Sequence, residues 1–437
     1  MTCRRLLLAA TAAVAAAVAA LAGGVWGDAR GGAAPRVGAA PAGALAAEFG
    51  ASNTAAYVTR LQDALRAAPR NVHGLALLGL AYEQRARETG DPAYYTRADG
   101  VLRRALRLEP NDLTTVGALG SLALSRHRFR DALEYGRRAR SLSPTTARTY
   151  GLIGDALVEL GRYGDAFAAF DRFARLKPGL SAYARVSYAR ELSGDFAGAV
   201  AAMKLALSSA VGEREALAWT HVQLGKLYWS HGRVRSAAGE ARAALVAFPG
   251  YASALDLLAQ TQAAQRRPAA AVADEQRAVD AIPLPQYVAA LGDLLARAGQ
   301  PAAARRQYAL IGAIERLLVA NGVRTDLETA LFDVDHGIGL RHALAVARRA
   351  RLERPSIDGD DVLAWALARN GRCAEARYWS KHSLRLGTRD ALKFFHRGAI
   401  ERCLGARSTA RMWLKRALAL NPHFSLLWAP VARRWSE

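Results

Sequence analysis

The chain has 437 residues, 51% of them hydrophobic, and a formal charge of +22. That apolar content supplies a continuous core and excludes a disordered polymer. The charge invites a nucleic-acid reading, but 54 of the 60 basic residues are Arg and 6 are Lys. Together with the abundance of Ala, this pairing looks like high-GC coding bias, and no nucleic acid is expected as a partner.

At the N-terminus Arg4-Arg5 precedes an uncharged run from Leu6 to Gly27, with Ala20-Leu21-Ala22 as a small-residue cleavage site. This is the layout of a secretory signal, and the run is long enough to act as an anchor if it is kept. Residues 1–27 are read as a signal peptide or N-terminal anchor, and the protein as exported: secreted or in the cell envelope. Cys3 precedes the apolar run, whereas a lipid-modified cysteine would follow it, so no lipid anchor is expected. Residues 28–50 form an Ala/Gly/Pro linker without periodicity.

From residue 51 to 437 the text is helical and repetitive. Asn53 to Ala67 reads as a lead-in helix ending before Pro69. The first hairpin carries Leu78-Gly79, Ala98, Leu102, Ala105 and Pro110, with a long connection around Glu88 to Pro92. The next unit gives Leu119-Gly120, Ala132, Ala139 and Pro144, and thirty-four residues later come Ile153-Gly154, Ala166, Phe173 and Pro178. The frame continues through Leu224-Gly225, Ala237, Ala244 and Pro249 to Gly398, Ala410, Ala417 and Pro422. About ten hairpins result, with Leu426 to Trp435 as a final covering helix. The period marks stacked helical hairpins. Two antiparallel helices approach closely only where small residues sit at the crossing, and the proline ends each second helix.

These recurring residues resemble the tetratricopeptide repeat from about residue 72 to 424, and the C-terminal run resembles that of exported bacterial tetratricopeptide proteins of unassigned role. The resemblance implies an all-α fold, an α-solenoid of helix-turn-helix hairpins in a right-handed superhelix. Its concave groove, lined by first helices, would bind a protein or peptide.

The expected groove positions are mixed in charge: Asp155, Glu159, Tyr188, Glu191, Trp219, Lys226, Trp229, Asp256 and Asp293. Tyr188, Trp219, Lys226 and Trp229 fall on adjacent units and form the candidate ligand pocket, rigid aromatics beside a cation. The alternative is that the tryptophans pack between units. Arg103-Arg104, Arg137-Arg138, Arg348-Arg349 and Lys415-Arg416 recur at the same second-helix places. The resemblance puts them on the convex face, where they could meet anionic lipid or cell-wall polymer or simply be solvated.

No phosphate-cradling glycine loop, nucleophile elbow or paired-histidine zinc motif occurs. No catalytic residue, metal site or cofactor is expected, and the chain is read as a non-catalytic scaffold. Asp333, Asp335, His336 and His342 are the nearest thing to a metal cluster and otherwise read as a polar helix end. Asp358 to Asp361 reads as a helix N-terminus. Cys373 and Cys403 leave two readings open, a disulfide suited to an exported protein or two buried thiols.

Overall fold

A computed structural model describes residues 53–210 and 214–437. The leader and linker readings of residues 1–50 lie outside them. The described residues form twenty-two α-helices and no strand. A lead-in helix, α1 (Thr54–Ala67), precedes ten antiparallel pairs. The first five are α2 (Val72–Thr89) with α3 (Ala93–Leu108), α4 (Leu113–Ser125) with α5 (Phe129–Leu142), α6 (Ala147–Glu159) with α7 (Tyr163–Leu176), α8 (Leu180–Leu192) with α9 (Phe196–Ser208), and α10 (Arg214–Ser230) with α11 (Val234–Ala247). The second five are α12 (Ala252–Ala264) with α13 (Pro268–Ala281), α14 (Pro285–Arg297) with α15 (Pro301–Ala320), α16 (Asp326–His336) with α17 (Leu340–Glu353), α18 (Ile357–Arg369) with α19 (Cys373–Ser383), and α20 (Ala391–Cys403) with α21 (Arg407–Leu420). A last helix, α22 (Trp428–Ser436), packs on α21. The fold is the all-α solenoid that the repeat period predicts. No described helix is long and apolar enough to cross a membrane.

The crossings and helix ends follow from the repeated residues. Gly79, Gly154, Gly292 and Gly398 face Leu102, Phe170, Tyr308 and Leu414 of their own second helices, where any Cβ would come inside 3.0 Å. Gly120 and Gly225 instead admit Leu152 and Leu257 from the next hairpin. Small residues thus serve contacts both within and between hairpins. Seven second helices end two residues before a proline, with one capping residue between. The capping residue there is extended, with φ between −133° and −149°. This is the conformation that a following proline ring enforces.

The coil closes on itself. Residues about 190–200 positions apart meet along a seam between successive turns of the superhelix, so one turn takes between five and six hairpins. The α4–α5 turn meets the segment after α15: Arg324 N–H donates to Arg126 O (3.1 Å) and His127 Nδ1–H donates to Arg324 O (2.8 Å). One hairpin further on, Ile357 N–H donates to Tyr163 Oη (2.7 Å), and Arg354 pairs with Glu159. Thr388 Oγ1 then donates to Leu192 O, and Asn421 Nδ2 donates to Trp229 O (2.8 Å). Gly161 serves this seam twice. Its φ of +69° makes the left-handed hairpin turn, and a side chain there would strike Pro355 O.

Candidate functional site

The groove face of the third to fifth hairpins encloses a cavity of about 180 Å³ between α6, α8, α9 and α10. On α10, Trp219, Gln223 and Lys226 lie four and three residues apart and so share one face. On α8, Tyr188 and Glu191 do the same. All five line the cavity, and Met203 reaches it from α9.

Three of the four predicted pocket residues are therefore brought together, and Trp229 is not. Ten residues beyond Trp219, it is turned about 80° round a 3.6-residue helix. It packs instead beside Ala237, Ala241, Leu257 and Leu258, and its carbonyl is taken by Asn421 across the seam. The competing reading, in which tryptophans pack between units, describes Trp229.

The cavity has a particular polarity. Trp219 is only 8% exposed, and its Nε1–H is buried with no hydrogen-bond partner among the described residues. A buried unpaired donor is costly, and native structures satisfy nearly all of them. Lys226 stands exposed at the rim. Burial, and then the charge of Asp390 from the next turn, pushes the Glu191 carboxyl up to about 7. Burial likewise raises the Tyr188 phenol well above its ordinary value, with Glu159 adding to it.

Most other acidic groove positions already have partners. Asp155 is buried in a two-pronged ion pair with Arg185, at 2.9 Å (Nε–Oδ1) and 2.6 Å (Nη2–Oδ2). Burial raises the Asp155 carboxyl while Arg185 opposes the shift. Glu159 is held by Arg354, Asp256 by Gln260, and Asp293 by Tyr308 and His336. Asp155 also lines a second cavity of about 190 Å³, together with Arg185, Leu113, Gly117 and Leu152.

Several surface readings change with the side chains in view. Asp335 Oδ1 accepts the indole N–H groups of both Trp365 and Trp428 at 2.8 Å, and His336 bonds Asp293 at 2.9 Å. The Asp333-to-His336 run thus fixes the final helix to the array, and no group of three metal-ligating side chains exists among the described residues. Asp358 and Asp360 do lie in the first turn of α18. Asp360 is also fully buried among Arg351, His382 and Arg385, while Asp358 and Asp361 take Lys393 and His396. Cys373 and Cys403 form a disulfide, with Cα atoms 6.0 Å apart, joining α19 to α20.

The second-helix arginine stripe is largely engaged by its own chain. Arg103 pairs with Asp99, Arg348 with Glu375 and Arg349 with Asp326. Arg104 and Arg138 donate to the carbonyls of Pro69 and Pro110 in the preceding links. Arg416 lines a cavity on the seam.

A tetratricopeptide repeat family model matches residues 118–181, 152–214 and 222–284. Among solved structures, the chain is similar to a tetratricopeptide repeat protein from Parabacteroides merdae, at 16% identity over 52% of this chain and 86% of that one, with a TM-score of 0.41. It is also similar to a thermophilic tetratricopeptide protein of Thermus thermophilus, at 23% identity over 45% and 99%, TM-score 0.39. Human IFIT1 is similar at 14% identity over 84% and 86%, TM-score 0.47. No curated protein sequence matches the chain. The repeat frame, the hairpin stack and the family match agree: residues 118–214 and 222–284 are tetratricopeptide repeats, and helical hairpins of the same kind continue on either side of them.

Proposed function

We propose that this protein is a non-catalytic scaffold that holds a peptide or an extended protein segment in its groove at the Tyr188–Trp219–Lys226 cavity. The observation that carries this reading is the buried, unpartnered Trp219 indole N–H at the cavity wall. A ligand carbonyl or carboxylate would satisfy it, and the adjacent Lys226 ammonium favours an acidic or C-terminal group. Phage-displayed random peptides selected on the full chain supply the probe. Trp219→Phe removes the donor but keeps most of the ring, and is expected to weaken the selected peptides at least tenfold by calorimetry, as is Lys226→Ala. Undiminished binding in both variants would remove the cavity as the site.

Export to the envelope or the secreted space is part of the same reading, supported by the Arg4-Arg5 and Leu6–Gly27 sequence. A protein found only in the cytosolic fraction would refute that part. The alternative, an adaptor using its convex arginines on anionic lipid or wall polymer, has less support, because much of that stripe is bound within the chain.

A further inference from the structure

Where the α10–α11 turn meets the segments flanking α20 and α21, the seam opens into a cavity of about 380 Å³. Its walls come from two turns of the coil. Phe196, His231 and Arg233 belong to one turn, and Arg389, Phe394 and Arg416 to the next. Among the described residues no carboxylate lines it. Among the described residues none of these three arginines has an ion-pair partner, unlike Arg354 at the neighbouring seam contact.

Two of the three cationic groups lie over aromatic rings. Arg233 Cζ lies 4.7 Å from the Phe196 ring centre, and Phe196 also stacks on His231 at 3.9 Å. Arg416 Cζ lies 4.9 Å from Phe394 and 4.4 Å from Trp413. A guanidinium held by its flat face keeps its N–H edges for another partner. His231 Nδ1 is 3.1 Å from Ser230 Oγ, while its Nε2 is buried and has no partner among the described residues.

Three like charges lining one cavity at a packing seam repel, and among the described residues no carboxylate lines it to offset them. Three guanidinium forks offer more N–H donors than the two oxygens of a carboxylate can accept. They match the larger oxygen set of a phosphate-type anion. We propose that this cavity binds a tetrahedral oxyanion of the phosphate class, and that the bound anion ties successive turns of the superhelix together. The site lies on the seam, outside the groove cavity, so it stands or falls independently of peptide binding.

The test uses the full chain at constant ionic strength, titrated calorimetrically with inorganic phosphate and, in a second arm, with glycerol 3-phosphate. Thermal melts in phosphate and in chloride accompany the titrations. The wild type is expected to bind saturably and to melt higher in phosphate than in chloride. Arg389→Gln/Arg416→Gln, which alters two exposed side chains without opening the core, is expected to lose at least tenfold in affinity and to melt alike in both salts. Saturation by phosphate alone assigns the site to the free anion. Saturation by both probes assigns it to a phosphoryl group on a larger molecule. Absence of saturable binding in the wild type, or unchanged affinity in the double variant, overturns the proposal.

Discussion

Gly154→Ala puts the repeat frame under direct strain. A Cβ on Gly154 would overlap the Phe170 ring, with Cδ1 at 2.5 Å and Cε1 closer still. Phe170 is 1% exposed and enclosed by its cluster, so the ring cannot swing into solvent. Relieving the overlap by core shifts costs about 1–3 kcal/mol. Alanine also gains about 0.5–1 kcal/mol over glycine in a helix interior. Gly239 in α11 supplies the reference: a Cβ there meets nothing within 4 Å. Gly239→Ala is therefore expected to stabilise by about 0.5–1 kcal/mol. Because the propensity gain is common to both, the difference between the two variants isolates the overpacking, about 1–3 kcal/mol. Urea unfolding followed by circular dichroism measures it, with unchanged m-values as the condition for comparing midpoints. Gly154→Leu, with three more carbons to place, should exceed the alanine cost. Equal stabilisation of Gly154→Ala and Gly239→Ala would refute the claim that small residues are required at the crossing.

Two further outcomes follow from charge. The Glu191 carboxyl is raised from 4.5 to about 7 in the folded chain, so between those values the native state keeps a proton that the unfolded state has released. Stability should fall as pH rises through that window. Glu191→Gln should remove the loss, gaining at most about 3 kcal/mol at pH 8 and nothing at pH 4; equal urea midpoints for variant and wild type at pH 8 would count against it. Arg354 pairs with Glu159 across the seam and with Glu328 at 2.5 Å. Removing it as Arg354→Met strands two carboxylates and should cost about 3–5 kcal/mol, while enlarging the radius of gyration seen by small-angle X-ray scattering. Arg348→Met, which loses a half-exposed pair with Glu375, should cost under about 1 kcal/mol. Matching losses in the two variants would show that the seam pair has no special weight.

Local features were the legible ones. The period of small residues and prolines reads directly as crossings and helix ends because each depends on contacts within one hairpin or its neighbour. Tyr188, Trp219 and Lys226 come to line one cavity for the same reason: positions on the first helices recur with the frame. Trp229 departs because it packs on Ala237 and Ala241 of its own second helix and on Leu257 and Leu258 of the next unit. The partners of the groove acids were not legible. Arg185 lies on the following first helix and Arg354 a full turn away, and nothing local marks either as a partner. Asp360 looked like an ordinary first-turn carboxylate since Arg351, His382 and Arg385 come from other elements. The cysteine pair stayed open because thirty residues of sequence separation do not fix the distance between two helices.

The seam changes what kind of solenoid this is. In an ordinary repeat array each hairpin touches only its neighbours, so one can be added or lost without disturbing distant ones. Here, deleting any hairpin between Glu159 and Arg354 would slide the upper turn past the lower, leaving Gly161 without Pro355 and Tyr163 without Ile357. The hairpins per turn are fixed much as teeth are fixed on a gear. Folding inherits the same constraint: the first turn can form from local contacts, but its seam partners arrive only after nearly two hundred further residues. Such long-range closure slows folding, and the final docking of the turns becomes the slow, cooperative step.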